Sequence, residues 1–125
     1  MKVAFATKDK ETIDDHFGWA KCFAIYEITR DGYKLLNYLE TPDDHTEEED
    51  KINYKISSLE GCSIVFCLNI GPTAATKVVK ARIHPIKVKG PTSIQQEASA
   101  LVELIKGNPP PWIKRILFEE ENKNV

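Results

Sequence analysis

The sequence predicts an α/β domain, a mixed five-stranded sheet with three main helices and a short C-terminal helix, on three observations. Short β-prone runs joined by a turn signal open the chain. A nearly continuous apolar run, Ser63 to Ile70, stands at its centre, and helical and strand-like apolar patterns alternate after it. Val3, Phe5 and Thr7 alternate with their neighbours as a first strand. Cys22 to Thr29 is the second, and Asp31-Gly32 turns the chain into a third over Lys34 to Glu40, so these strands pair antiparallel. Thr46-x-x-Glu49 is a capping-box pattern, and Ile52, Ile56 and Leu59 then recur at helical spacing until Gly61, which predicts a helix over 47–60. The central apolar run reads as a strand covered on both faces. Gly71-Pro72-Thr73 then turns into a helix over 73–82 with Ala74, Ala75, Val78 and Val79 on its apolar face. Pro85 to Lys89 is the fifth strand, and Ile94, Ala98, Leu101, Val102 and Ile105 place a helix over 93–106. Asn108-Pro109-Pro110-Pro111 stiffens the chain before Trp112, Ile113, Ile116 and Leu117. These form a short helix expected to dock on the core, with an exposed anchor for another protein as the alternative.

The 125 residues suit one domain, taken as 1–118 with a polar flexible tail over 119–125. Hydrophobic residues at 42% and charged ones at 29% are ordinary globular values that exclude a disordered or fibrous chain. Seventeen basic against nineteen acidic residues give a net charge of −2, without the excess that phosphate-backbone binding uses, so no nucleic acid partner is expected. No run approaches the ~18 apolar residues of a membrane span. The charged N-terminus is unlike a signal peptide, so the protein is expected in the cytoplasm and away from membranes. Three cysteines, Cys22, Cys62 and Cys67, are an odd set expected to stay reduced.

His16 lies in Asp14-Asp15-His16-Phe17-Gly18, a polar loop expected at the surface. Imidazole is a ligand for iron and zinc, and Asp15 is placed to fix its tautomer; a solvated surface histidine is the plain alternative. Cys67 is near the end of the central strand, just before Asn69-Ile70-Gly71-Pro72, where strand C-termini border a ligand crevice. Cys62 is five positions earlier and is expected on the opposite side of a regular strand. Cys22 suits the crevice or the core equally. Gly71-Pro72 opens a helix whose free N–H groups attract anions. The candidate binding set is therefore His16, Phe17, Gly18, Cys67, Asn69, Gly71 and Pro72, with His16 and Cys67 as metal ligands and no catalytic residue. His45 and His84 receive no role, and the acidic run Glu47 to Asp50 reads as a solvated helix start. With no C-x-x-C, H-E-x-x-H or four-cysteine set, the chain builds no closed zinc or iron-sulfur site of its own.

The strand and helix order resembles ribonuclease H. Asp15-His16-Phe17-Gly18-x-Ala20-x-x-Phe23, Ile70-Gly71-Pro72-x-Ala74-Ala75, Ile83-His84-Pro85-Ile86-Lys87-Val88 and Asn108-Pro109-Pro110-Pro111-Trp112 together resemble the dinitrogenase iron-molybdenum cofactor biosynthesis family, over essentially the whole chain. The last two segments are most similar to its NifX group. The resemblance implies a ribonuclease H-like fold and a non-enzymatic carrier. Such a carrier takes the iron-sulfur precursor of the iron-molybdenum cofactor from a NifB-type synthase to a NifEN-type scaffold. It also implies that the loop histidine, here His16, matters for cluster binding, and it assigns nothing to Cys22 or Cys67. A metal- or anion-binding regulatory module outside nitrogen fixation is the alternative. A nuclease, the fold's other association, would need converging carboxylates; the first strand has none, and Asp9, Asp14 and Asp15 all lie in the following loop.

Overall fold

A computed structural model describes residues 1–41 and 48–122, the side chains of 48 and 49 excepted. The expected capping box at Thr46 and Glu49, His45, and most of the acidic run lie outside the described residues. Five strands form one sheet in the order β4-β3-β1-β5-β6, where β1 is Lys2–Ala6, β3 Cys22–Thr29, β4 Gly32–Glu40, β5 Ile64–Cys67 and β6 His84–Lys87. β3 runs antiparallel to β1 and β4, while β5 runs parallel to β1 and β6. The mixed sheet expected from the sequence is thus present.

Period-two alternation gives each central strand two buried faces. Ala4, Ala6, Phe23, Ile25, Val65 and Cys67 face one core with Ile52 and Leu59, and with Ala74 and Val78 of a helix above them. Those helices are α1, Glu48–Ser58, and α2, Pro72–Lys80. Val3, Phe5, Ala24, Ile28, Ile64 and Phe66 face the other core, closed by α3, Ile94–Lys106, and α4, Pro111–Asn122. The result is three layers, helices on both sides of one sheet. Gly61 at φ 93° supplies the left-handed residue that ends the first helical segment. Ser93 caps α3, its hydroxyl accepting the Gln96 N–H at 3.3 Å.

The C-terminal expectations need correction. With twelve residues α4 is no short helix; it exceeds α2, which has nine. It continues through Asn122, so residues 119–122 of the expected tail are helical. Two contacts anchor this last turn: Glu120 Oε2 lies 3.4 Å from the Met1 ammonium, and Glu120 Oε1 accepts from Ser63 Oγ at 3.4 Å. The triple proline leads into the helix, and Trp112 lies flat on His84, ring centroids 4.0 Å apart. Docking on the domain's own core, the first of the two readings, is what this segment does. A second, two-residue ladder pairs β2, Thr12–Ile13, with β7, Thr92–Ser93.

Candidate functional site

The parallel strands β1, β5 and β6 end on the same edge of the sheet, and the loop after β1 returns there. β1 stops at Ala6; beyond it, residues 15–17 take its place beside the end of β5. Leu68 N–H donates to Asp15 O and Phe17 N–H to Asn69 O, both at 2.8 Å, so His16 and Asn69 face each other as a parallel bridge. Residues 16–20 then close one helical turn: Trp19 N–H and Ala20 N–H both donate to His16 O, at 3.2 and 3.0 Å. Phe17 and Ala20 are fully buried, and Phe17 packs against Phe23 with ring centroids 5.8 Å apart. Trp19 is left exposed and His16 half-buried beside it, their rings stacked at 4.4 Å with 29° between their planes.

Two polar side chains hold this turn from below. Lys55, almost wholly buried on α1, donates from Nζ to Gly18 O at 2.8 Å, and Thr41 Oγ1 donates to Ala20 O at 2.9 Å. Asp15 is also buried, and its Oδ1 accepts the backbone N–H of His16 at 2.9 Å. That carboxylate contact orients the main chain of the turn, rather than the imidazole it was expected to orient.

The expected set divides in three. Gly18, Gly71 and Pro72 line one open cleft with Ile52, Thr73, Ala74 and Lys77. His16 and Asn69 meet through their backbones beside it, and Asn69 Oδ1 turns back to accept the Ile70 N–H at 3.0 Å. Phe17 and Cys67 lie beneath, fully buried in the core on the α1 and α2 side. Phe17 and Cys67, expected to contact a cargo, thus have no exposed surface in this structure. Strand parity turns Cys67 inward, its Sγ lies 4.0 Å from Ile86 O, and burial pushes its thiol up to about 11. Cys62 is buried in the same core and is likewise raised to about 11 by burial. The opposite-sides expectation fails because Cys62 precedes β5, outside the pleat that parity describes. Cys22 is half-buried at the start of β3, its thiol also raised by burial.

Trp19, Lys55 and Thr41 escaped the sequence reading. Only Trp19 left a signal there: it follows His16 by three residues, the spacing that brings side chains together on a helical turn. Gly71 caps α2 through its backbone alone, without a side-chain bond, its carbonyl accepting Ala75 N–H at 2.9 Å. The acids of the nuclease reading serve their own loops. Asp9 Oδ1 accepts N–H groups of Glu11 and Thr12, which hold its carboxyl below the usual value, and Asp14 Oδ1 accepts that of Lys8. No group of three or more His, Cys, Asp or Glu side chains suited to a metal occurs among the described residues.

Fold and turn together define a small three-layer α/β domain that displays one histidine at the ends of its parallel strands. The dinitrogenase iron-molybdenum cofactor family model matches residues 1–104, and the chain belongs to that family. NifX of Sinorhizobium fredii is 38% identical over 126 residues, covering 95% of this chain and 79% of the relative. NifX of Herbaspirillum seropedicae is 37% identical, covering 100% of this chain and 87% of the relative. The FeMo cofactor biosynthesis protein NifB of Bradyrhizobium diazoefficiens matches 67% of this chain at 33% identity, over 17% of its own length. Among solved structures, the crystal structure of PH0822 shares the fold with a TM-score of 0.67 at 20% identity, covering 90% of this chain and 99% of that one.

Proposed function

We propose that this protein is a non-enzymatic carrier in the biosynthesis of the nitrogenase iron-molybdenum cofactor. It holds the iron-sulfur precursor of that cofactor in transit from a NifB-type synthase to a NifEN-type scaffold in the cytoplasm. Family membership and the NifX relatives support the pathway. A ribonuclease H-like scaffold fits the strand order, with β3 antiparallel beside β1. No helix among the described residues is long and apolar enough to cross a membrane.

The observation that carries the reading is the pinned turn that presents His16. A carrier must hold its cargo firmly enough to protect it and loosely enough to give it up. One displayed imidazole leaves most of a preformed cluster for the next protein's ligands, whereas a four-cysteine cage would keep it. Cys67 is buried, and in this reading His16 is the ligand.

Anaerobic titration of the metal-free protein with the isolated precursor, followed by optical and paramagnetic spectra, tests the reading. Stoichiometric binding by the parent, weakened at least several-fold in His16→Ala, is expected. Absence of stoichiometric binding by the parent removes the carrier role, and equal affinity in the variant removes His16 as ligand.

A further inference from the structure

Every group of the turn over residues 16–20 that can reach inward does so, with one pair left out. Phe17 and Ala20 fill the core, Phe17 N–H goes to Asn69 O, Gly18 O to Lys55 Nζ and Ala20 O to Thr41 Oγ1. His16 stays half-buried at the surface, and Trp19 is 71% exposed, the most exposed large hydrophobic side chain among the described residues. An indole in water is unfavourable, and this one contributes nothing to either core. Its one close aromatic partner among the described residues is the imidazole 4.4 Å away. The backbone beneath both rings is fixed at several points, which keeps the two residues three apart on one helical turn, the spacing that lets their side chains meet.

We infer that Trp19 is the positioning residue of this site: stacking holds the His16 imidazole in one orientation before cargo arrives, and the uncovered part of the indole forms an apolar shelf beside it. This rests on the carrier reading above. A freely rotating imidazole would have to be ordered on binding, and ordering one side chain in advance is worth roughly three- to tenfold in affinity. The shelf suits a sulfide-bearing ligand, since sulfur packs favourably at aromatic ring edges.

The protein has two tryptophans, and they lie at opposite ends of the sheet: Trp19 beyond the end of β5, Trp112 against His84 at the start of β6. Trp112→Phe therefore leaves Trp19 as the sole tryptophan emitter, and Trp19→Phe leaves Trp112. Titrated anaerobically with the isolated iron-sulfur precursor, the Trp19-only protein is expected to lose more emission than the Trp112-only protein, and His16→Ala to abolish the difference. Trp19→Ala is expected to bind roughly three- to tenfold more weakly, with Trp19→Phe within about twofold of the parent because a ring still stacks. If the parent binds while Trp19→Ala binds equally well, or while both emitters are quenched alike, the positioning role is overturned and the carrier role stands. A parent that does not bind overturns both. Should Trp19→Ala fail to fold by circular dichroism, the affinity of Trp19→Leu, which keeps apolar bulk without a ring to stack and is expected to bind as weakly as Trp19→Ala, decides the matter together with the emission comparison.

Discussion

Phe17 and His16 are neighbours with opposite duties, and substitution should separate them. Phe17 is fully buried among Phe23 and the α1 and α2 side chains, so Phe17→Ala is expected to cost about 3–5 kcal/mol of stability. His16→Ala, at the outer face of the same turn, should stay within about 0.5 kcal/mol in the same urea titration. The cysteines allow a second check. Burial raises the Cys62 and Cys67 thiols to about 11, so almost no thiolate exists at neutral pH and the sulfurs are shielded. Iodoacetamide at pH 8 should modify Cys22 first and reach Cys62 and Cys67 only when urea is added; mass spectrometry of the peptides reads the order. Fast native labelling of Cys67 would mean that β5 and β6 separate readily. That Cys67 belongs to the core was not legible from position alone, because the end of a strand borders a crevice on one face and the core on the other.

At the scale of elements, long periodic segments were readable and short ones were not. Cys22 to Thr29 is β3 as read, and the second and third helices were placed within two residues at each end. The Ser63 to Ile70 strand contracts to Ile64–Cys67 because residues 68–69 leave the β5–β6 ladder to pair with the returning loop. The ladder of Thr12–Ile13 with Thr92–Ser93 has two residues a side and therefore no periodicity to detect. Lys55 looks like an ordinary solvated helix residue until the turn brings Gly18 O to it. The docking of α4 gives a pH prediction. Burial first, and the Arg115 charge second, hold the His84 imidazole below its ordinary 6.5. The unfolded chain then takes up a proton where the folded chain does not. The contribution to stability is complete above pH 6.5 and is lost as the pH falls below it. Melting temperature measured from pH 7.5 down to 5 should fall more steeply for the parent than for His84→Gln, whose side chain does not titrate.

Considered as a whole, the molecule keeps its two cores on opposite faces of one sheet, and the candidate site draws on only one of them. Phe17 and Ala20 belong to the α1 and α2 side, whereas Ile113 of α4 is fully buried on the other. Ile113→Ala is expected to lower stability by about 2–5 kcal/mol while backbone NMR shifts of residues 15–20 stay those of the parent. Shifts moving throughout the turn would show that the sheet transmits repacking from one face to the other.

The bridge between His16 and Asn69 has a thermodynamic side. The loop after β1 and the end of β5 are far apart in sequence, and their two 2.8 Å hydrogen bonds exist only after the sheet has closed. An unfolded chain contains the same histidine but no such surface, so a ligand that requires the assembled turn favours the native state, and its binding free energy, less whatever the exposed thiols of the unfolded chain recover, adds to folding. At a free ligand concentration a hundred times its dissociation constant that is at most about 2.7 kcal/mol, visible as a rise in melting temperature that His16→Ala should reduce. Folding also withdraws Cys62 and Cys67 into the core, so a completed molecule meets a ligand with the turn and not with those two thiols.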